Sequence, residues 1–155
     1  MLMIFGIICM QTFSDKVINW QAEHGRHHLP WQLEPTPYRV WISEVMLQQT
    51  QVKTVIPYFN QFMRHCPDVT TLSSIEDDTL MSLWQGLGYY SRARNLKKSA
   101  QIIVSEHRGS IPSDMPNLVQ LPGIGRSTAA AILSLAYQQP AAILDGNVKR
   151  VLARY

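Results

Sequence analysis

Apolar residues recur along this chain at the three-to-four-residue spacing of a helix face, and no convincing stretch alternates with the period of two that a half-buried strand needs. The pattern predicts an all-α protein. Ser14 can cap a helix that runs to about His24 and stops at Gly25. Thr36-Pro37 is a cap followed by proline at the first helical position, and it opens a helix over YRVWISEVML. A third helix surrounds Pro57 to Met63, with the proline as the place for a kink. Ser74-Ile75-Glu76-Asp77 has the form of a capping box, with Asp in place of Glu, and leads into LMSLW. Tyr89 to His107 reads as a long basic helix, Ser113 as the cap of a short one, and Arg126 to Tyr137 as an Ala- and Leu-rich one. The last helix begins after Asp145. VKRVLARY contains no glycine, proline or cap, so that helix is expected to be still running at Tyr155. Such an ending reads as a fragment of a longer protein. There are no internal repeats and no low-complexity linkers.

One residue breaks the apolar pattern of the second helix. Glu44 sits inside Val40-Trp41-Ile42-Ser43-Glu44-Val45-Met46-Leu47. Burying an unpaired, ionised carboxylate costs several kcal/mol or more. Either Glu44 faces water from a one-sided helix, or its surroundings are there to perturb it.

Composition narrows the class. With 155 residues, 46% hydrophobic and 16% charged, the chain is globular. Two cysteines, Cys9 and Cys66, offer neither a disulfide framework nor a metal quartet, and they suit a reducing cytosol. The histidines His24, His27, His28, His65 and His107 lack metal-site spacing, so no zinc site is expected. The opening MLMIFGIIC is too short to span a bilayer, has no basic n-region and is not followed by a small-residue cleavage site. Translation is expected to start at Met10, with residues 1–9 a start-site extension. No membrane association is expected.

Charge is unevenly placed. Residues 1–85 carry five basic and eight acidic side chains, and residues 86–155 carry nine basic and three acidic ones. A basic second half suits a polyanion such as nucleic acid, and it also suits an ordinary solvated surface.

Three motifs carry candidate chemistry. LPGIG, residues 121–125, precedes RSTAAAILSLA and makes a tight link between two helices. Gly123 and Gly125 permit left-handed backbone and close approach, and the first N–H groups of the next helix, with Arg126 beside them, can hold a phosphate. This has the form of a helix-hairpin-helix that grips DNA without reading bases, with a plain helix-helix turn as the alternative. GLGYYSRARNLKK, residues 86–98, places Tyr89 and Tyr90 after a glycine-rich loop and before Arg92, Arg94, Lys97 and Lys98. Aromatics beside cations suit a wedge that unstacks bases while the backbone is gripped. The same residues equally suit two core tyrosines and a solvated basic face. In ILDGNVKRVL, Asp145 reads first, on local grounds, as an ordinary N-cap.

Taken together, LPW, WISEVMLQQTQV, GLGYYSRARNL, LPGIGRST and ILDGNVKRVL resemble the adenine DNA glycosylase family of the helix-hairpin-helix-GPD superfamily, nearly continuously over residues 11–155. The resemblance implies a catalytic domain whose active site lies between a six-helix barrel and an iron–sulfur module. It implies residues 10–35 as a helix packing on that module, 36–140 as the barrel with its hairpin at 118–137, and 141–155 as the aspartate loop and the start of the second module. The implied reaction is hydrolysis of the N-glycosidic bond of adenine mispaired with 8-oxoguanine or guanine in double-stranded DNA. By match to the family, Glu44 is the general acid that protonates the departing adenine and helps activate water, and Asp145 stabilises the oxocarbenium-like sugar.

Gln48, Gln49, Thr50, Leu87 and Tyr89 match residues that enter the duplex near 8-oxoguanine, and Trp31, Leu47 and Val52 match the adenine pocket. Gly123, Gly125, Arg126, Ser127, Lys149 and Arg150 match DNA contacts, and the carbonyls of Val119, Leu121 and Ile124 match a monovalent-cation site. The family's 4Fe–4S cluster takes four cysteines from beyond residue 155, which Cys9 and Cys66 cannot replace, so the 155-residue chain alone is expected to be poorly stable and nearly inactive. The resemblance further implies a monomer in a bacterial cytoplasm, at the nucleoid through its DNA. Two alternatives stay open. Endonuclease III shares the hairpin but places a lysine nucleophile where this chain has Ser127, and a non-enzymatic DNA-binding module would need neither carboxylate.

Overall fold

Each helix of this protein begins where a side chain or a proline can take up the free N–H groups of a first turn, and the observed caps refine the expected ones. A computed structural model describes residues 12–155. The expected extension at 1–9, Cys9 and the start at Met10 lie outside the described residues. Thr12, not Ser14, caps α1 (Phe13–His24): its Oγ1 accepts from Asp15 N at 3.2 Å while Asp15 Oδ2 accepts from Thr12 N at 2.9 Å. This reciprocal pair satisfies two donors that Ser14, already inside the first turn, could not reach. A short α2 (Pro30–Leu33) leads to α3 (Pro37–Leu47), where Thr36 Oγ1 accepts from Arg39 N as expected. The third expected helix is α4 (Val52–His65), and it runs through Pro57. That proline is exposed, and it removes the donor that the Lys53 carbonyl would otherwise take within the helix.

The expected capping box at Ser74 is displaced. Asp68 caps α5 (Val69–Ser74), accepting from Thr71 N at 2.8 Å, and Ser74 is that helix's last residue. Glu76 then begins α6 (Asp77–Trp84) without a side-chain cap. The long helix α7 is Ser91–Glu106, shorter at its start than expected because Tyr89 has a left-handed backbone. Asp114, rather than Ser113, caps α8 (Met115–Leu118), and α9 covers Arg126–Leu135. The final helix α10 is Gly146–Leu152. It does not reach Tyr155, because Arg154 N bonds back only three residues, to the Val151 carbonyl, tightening the last turn.

Among the described residues all regular structure is helical. Helix α3 is the axis of the body. It packs on α2, α4, α7 and α9, and Tyr38, Val40, Trp41, Ile42, Ser43, Val45 and Met46 are all buried. The Ala129-Ala130-Ala131 run presents little bulk and lets α9 lie close along α3. Phe59 and Phe62 of α4, Trp84 of α6, and Leu96 and Ile103 of α7 complete the core, with Phe62 edge-on to Trp84 at 6.2 Å. Helices α1 and α10 bury no residue, leaving Val17, Ile18, Trp20, Val151 and Leu152 exposed. The Phe13 ring of α1 lies 4.3 Å from that of Tyr155, beyond the end of α10. No described helix is long and apolar enough to cross a membrane.

Phe62→Ala should lower the free energy of unfolding by about 3–5 kcal/mol in urea titrations, the range for emptying an aromatic site in a packed core. A loss below about 1 kcal/mol would show that the α4–α6 contact is not part of the cooperative core.

Candidate active site

Within the buried run Val40–Met46 of α3, the one residue that is not buried is Glu44. Seven of its eleven residues are buried, and Glu44 lies with Leu47 and Gln48 on the stripe that three- and four-residue spacing creates. That stripe forms one wall of a cleft of about 980 Å³. The turn after α3 supplies Gln49, Thr50 and Gln51, and the start of α4 supplies Val52. Ser127 and Thr128 enter from α9, and Asp145, Gly146, Asn147 and Arg150 from α10. Arg26 completes the lining.

The two carboxylates differ in their surroundings. Burial pushes the Glu44 carboxyl up to about 7, and repulsion from Asp145 adds to the rise. Among the described residues Glu44 has no hydrogen-bond partner to offset its desolvation. Asp145 is the N-cap that local reading expected: its Oδ1 accepts from Asn147 N at 2.9 Å and from Val148 N at 2.8 Å. The cap also places this carboxylate in the lining of the cleft that Glu44 faces.

The other expected residues divide. Leu47, Gln48, Gln49, Thr50, Val52, Ser127 and Arg150 line the cleft. Trp31 does not: it is buried edge-on against Phe59, with ring centroids 5.4 Å apart, because α2 folds back onto α3 and α4. Leu87 is also buried in the core, whereas Tyr89 beside it is 60% exposed. Lys149 and Arg126 are exposed outside the cleft. Sequence reading missed Arg26, Thr128 and Asn147 as cleft residues. Asn147 had a signal, since it stands two residues past a capping aspartate and therefore beside it; Arg26, in a polar loop, had none.

In the hairpin, only one of the two expected glycines is left-handed. Gly123 has φ 79°, and a Cβ there would lie 3.0 Å from Asn95 Cβ, so both backbone and packing require glycine. Gly125 is extended, with φ −85° and ψ 171°, as the cap of α9, and a Cβ there would meet nothing of the chain. Its openness matters only to something approaching from outside. Among the carbonyls expected to hold a cation, that of Leu121 accepts from Ile124 N at 3.1 Å within the turn.

The basic stretch after GLG resolves differently from either expectation. Tyr89 and Tyr90 are exposed, as a wedge requires, and Lys97 pairs with Asp77. Arg92, however, is buried with its guanidinium turned inward, onto the carbonyls of Val45, Met46, Gln48, Leu87 and Gly88. It cannot be one of the cations gripping a backbone. Gly86 and Gly88 are left-handed, as the loop demanded, and so are Gln49 (φ 57°) and Tyr89 (φ 49°), at a cost of about 1–2 kcal/mol each for residues bearing a Cβ.

Residues 42–155 match the family of HhH-GPD superfamily base excision DNA repair proteins. The chain belongs to that superfamily. It is 54% identical over 143 residues to an adenine DNA glycosylase of Buchnera aphidicola subsp. Acyrthosiphon pisum (strain APS), a match covering 92% of this chain and 41% of that protein. It is 44% identical over 152 residues to the adenine DNA glycosylase of Homo sapiens, covering 92% and 28%. This chain therefore spans about two-fifths or less of the length of these relatives. Among solved structures, a thermostable thymine-DNA glycosylase aligns with a TM-score of 0.87 at 26% identity, covering 92% of this chain and 66% of that one. Endonuclease III in a non-covalent DNA complex aligns at 0.72, also at 26% identity, covering 76% and 56%. The all-helical HhH-GPD fold expected from the motifs is the fold observed.

An iron–sulfur cluster does not fit the described residues of this HhH-GPD chain. No group of three metal-binding side chains forms among them. Cys66 is buried, and burial with repulsion from Asp68 pushes its thiol up to about 11, which opposes the thiolate a cluster needs. No step of the chemistry below passes through such a group.

The raised Glu44 value has a consequence for stability. The folded state holds the proton more tightly than the unfolded chain, so Glu44 costs nothing below about pH 4.5 and its penalty grows until about pH 7. Wild-type stability relative to Glu44→Gln should therefore fall between pH 5 and 8, by up to about 3 kcal/mol. Urea unfolding of both proteins at the two pH values measures this. A pH-independent difference would mean that Glu44 is solvated.

Proposed function

We propose that this protein is an adenine DNA glycosylase that hydrolyses the N-glycosidic bond of adenine paired with 8-oxoguanine or guanine in duplex DNA. One observation carries the reading: a glutamic acid whose proton affinity is raised to about 7 shares a cleft with a second carboxylate, in a chain 54% identical to a protein of that activity. Adenine is a poor leaving group. As the carbon–nitrogen bond breaks, the electron pair leaves with the base, and the proton of Glu44 neutralises it. The sugar is left as an oxocarbenium-like cation, which the Asp145 carboxylate stabilises. Water then adds to the anomeric carbon and gives its proton to the Glu44 carboxylate, restoring the acid.

The cleft can receive a base only when the base has left the stack. Exposed Gln48, Gln49 and Tyr89 stand beside it to fill the gap, and the open N-terminus of α9 with Arg126 suits the phosphate backbone. Leu47 and Val52 give the pocket its apolar part. Lys149 and Arg150 hold the strand, while Trp31 supports the pocket from the core. Val119, Leu121 and Ile124 can turn carbonyls to a monovalent cation at the hairpin. The lining contains no lysine, and Ser127 stands at the position where a lyase carries its amine. Both support hydrolysis alone. The protein acts as a monomer on DNA in the cytoplasm.

Glu44→Gln in the full-length protein should reduce adenine release from an adenine:8-oxoguanine duplex by at least about a thousandfold, while duplex affinity stays within about threefold. Near-normal turnover by that variant would overturn the assignment. Duplex binding by the wild type without any release would instead favour a DNA-binding module.

A further inference from the structure

Arg92 donates six hydrogen bonds, and none goes to a carboxylate. Nη1 donates to the carbonyls of Val45 and Met46, both at 2.9 Å, and of Gln48 at 2.7 Å. Nη2 donates to the carbonyls of Leu87 and Gly88, both at 3.1 Å, and to Thr50 Oγ1 at 3.4 Å. The guanidinium lies over the Trp84 ring at 5.4 Å and the Tyr89 ring at 5.6 Å, and Trp84 Nε1 also donates to the Gly88 carbonyl, at 3.1 Å. A buried cation held only by carbonyls, a hydroxyl and ring faces adds little to a core that apolar packing already fills. Its partners suggest another purpose.

Two stretches with no direct hydrogen bond to each other among the described residues, 45–50 and 87–88, end on this one group; within the first, Thr50 N also donates to the Leu47 carbonyl at 3.2 Å. The Val45 and Met46 carbonyls belong to the last turn of α3, one residue past Glu44, where carbonyls lack intrahelical donors. Gln48 and Leu87–Gly88 belong to two separate turns. In each turn the carbonyl that Arg92 takes immediately precedes a left-handed residue, Gln48 before Gln49 and Gly88 before Tyr89. Strained backbone of this kind persists only where surrounding bonds over-determine it. Both strained residues are exposed; Gln49 lines the cleft, and Tyr89 follows the Gly88 carbonyl, which shares Arg92 Nη2 with Thr50 of the cleft.

The same face of α7 fixes the hairpin. Asn95 stands against Gly123, and Ser99 Oγ donates to the Pro122 carbonyl at 2.8 Å. Arg92, Asn95 and Ser99 are three and four residues apart, one stripe along α7. We infer that Arg92 is a positioning residue: its two nitrogens lock the Gln48–Thr50 turn, the Leu87–Tyr89 turn and the end of the Glu44 helix into one rigid unit, so that both strained residues meet DNA already in place. This rests on the proposed reading that the cleft face binds DNA.

The test compares wild type, Arg92→Met and Arg92→Lys in the full-length protein, by hydrogen–deuterium exchange and by single-turnover adenine release across pH. Arg92→Met should speed exchange at residues 48–51 and 87–90 by about tenfold or more, the scale of one charged hydrogen bond, and leave α9 within about twofold. Adenine release should fall by a similar factor with its pH midpoint unmoved, since the causes of the raised Glu44 value are burial and Asp145, not Arg92. Arg92→Lys keeps the charge but not the fork, so it should recover less than half of the lost protection. Unchanged exchange in the two turns would overturn the inference, as would an even rise throughout the core or a shifted pH midpoint. If Arg92→Met does not fold, exchange in Arg92→Lys decides alone: a rise confined to the two turns supports the inference and its absence overturns it. Wild type that releases no adenine would sink the functional reading, while the exchange result would still stand or fall on its own.

Discussion

Burial of α3 on nearly every side is the constraint from which the site follows. A helix packed against four others can offer solvent only one narrow stripe, and a carboxylate on that stripe keeps a fraction of the hydration it would have on a surface. Glu44 therefore owes its raised proton affinity to the same contacts that hold the fold together. Trp41 and Ile42 before it and Met46 after it are fully buried, so the acid cannot relax into water without moving the core. Tuning the acid and building the domain are one act of packing.

The Gln48–Thr50 side of the cleft depends on α7. Its buried stripe reaches three turns that the sequence places far apart: Gln48–Thr50, Leu87–Tyr89 and Pro122–Gly123. Apart from the Arg92 bond to Thr50 Oγ1, each contact is made to backbone, or to a glycine whose missing side chain lets the helix approach. Backbone contacts fix where a loop lies while leaving its side chains free for a ligand. That explains how Gln49 and Tyr89 can be strained and exposed at once.

Much of this was legible in the sequence because it follows local rules. The period of apolar positions gave the helices, Thr36-Pro37 gave the start of α3, and the misplaced Glu44 marked the cleft before any geometry was known. Asp145 could be read as a cap from its place before GNVKRVL. What escaped was tertiary. Ser14 and Ser113 are plausible caps, and Thr12 and Asp114 won because each places an oxygen over the free N–H three residues on, whereas Ser74 ends the helix that Asp68 caps and α6 starts at Glu76 without a side-chain cap. Arg92 looks in sequence like its neighbours Arg94 and Lys97. Only the fold shows that it faces inward, since its partners lie 42 to 47 residues away or just behind it in the loop. Leu87 and Trp31 escaped for the same reason: apolar residues beside a functional loop read identically whether they face the core or a ligand.

The two carboxylates are anchored differently, and this bears on how robust their division of labour is. Glu44 belongs to the most deeply packed helix. Asp145 caps a helix that buries no residue, and it is tied to the body chiefly by the segment before it. There Ile143 packs on the core, and Gln139 bonds through its backbone N–H to the Leu133 carbonyl at 2.9 Å and through its side chain to the Ser113 carbonyl at 3.0 Å. Movement of α10 would change the repulsion between the pair. It would leave untouched the larger cause of the Glu44 shift, which is desolvation by α3 and its neighbours. In the proposed reaction, an acid tuned mainly by burial keeps its proton while the second carboxylate adjusts to the sugar. The reverse arrangement, a rigid aspartate tuning a mobile acid, would lose the proton whenever the cleft opened.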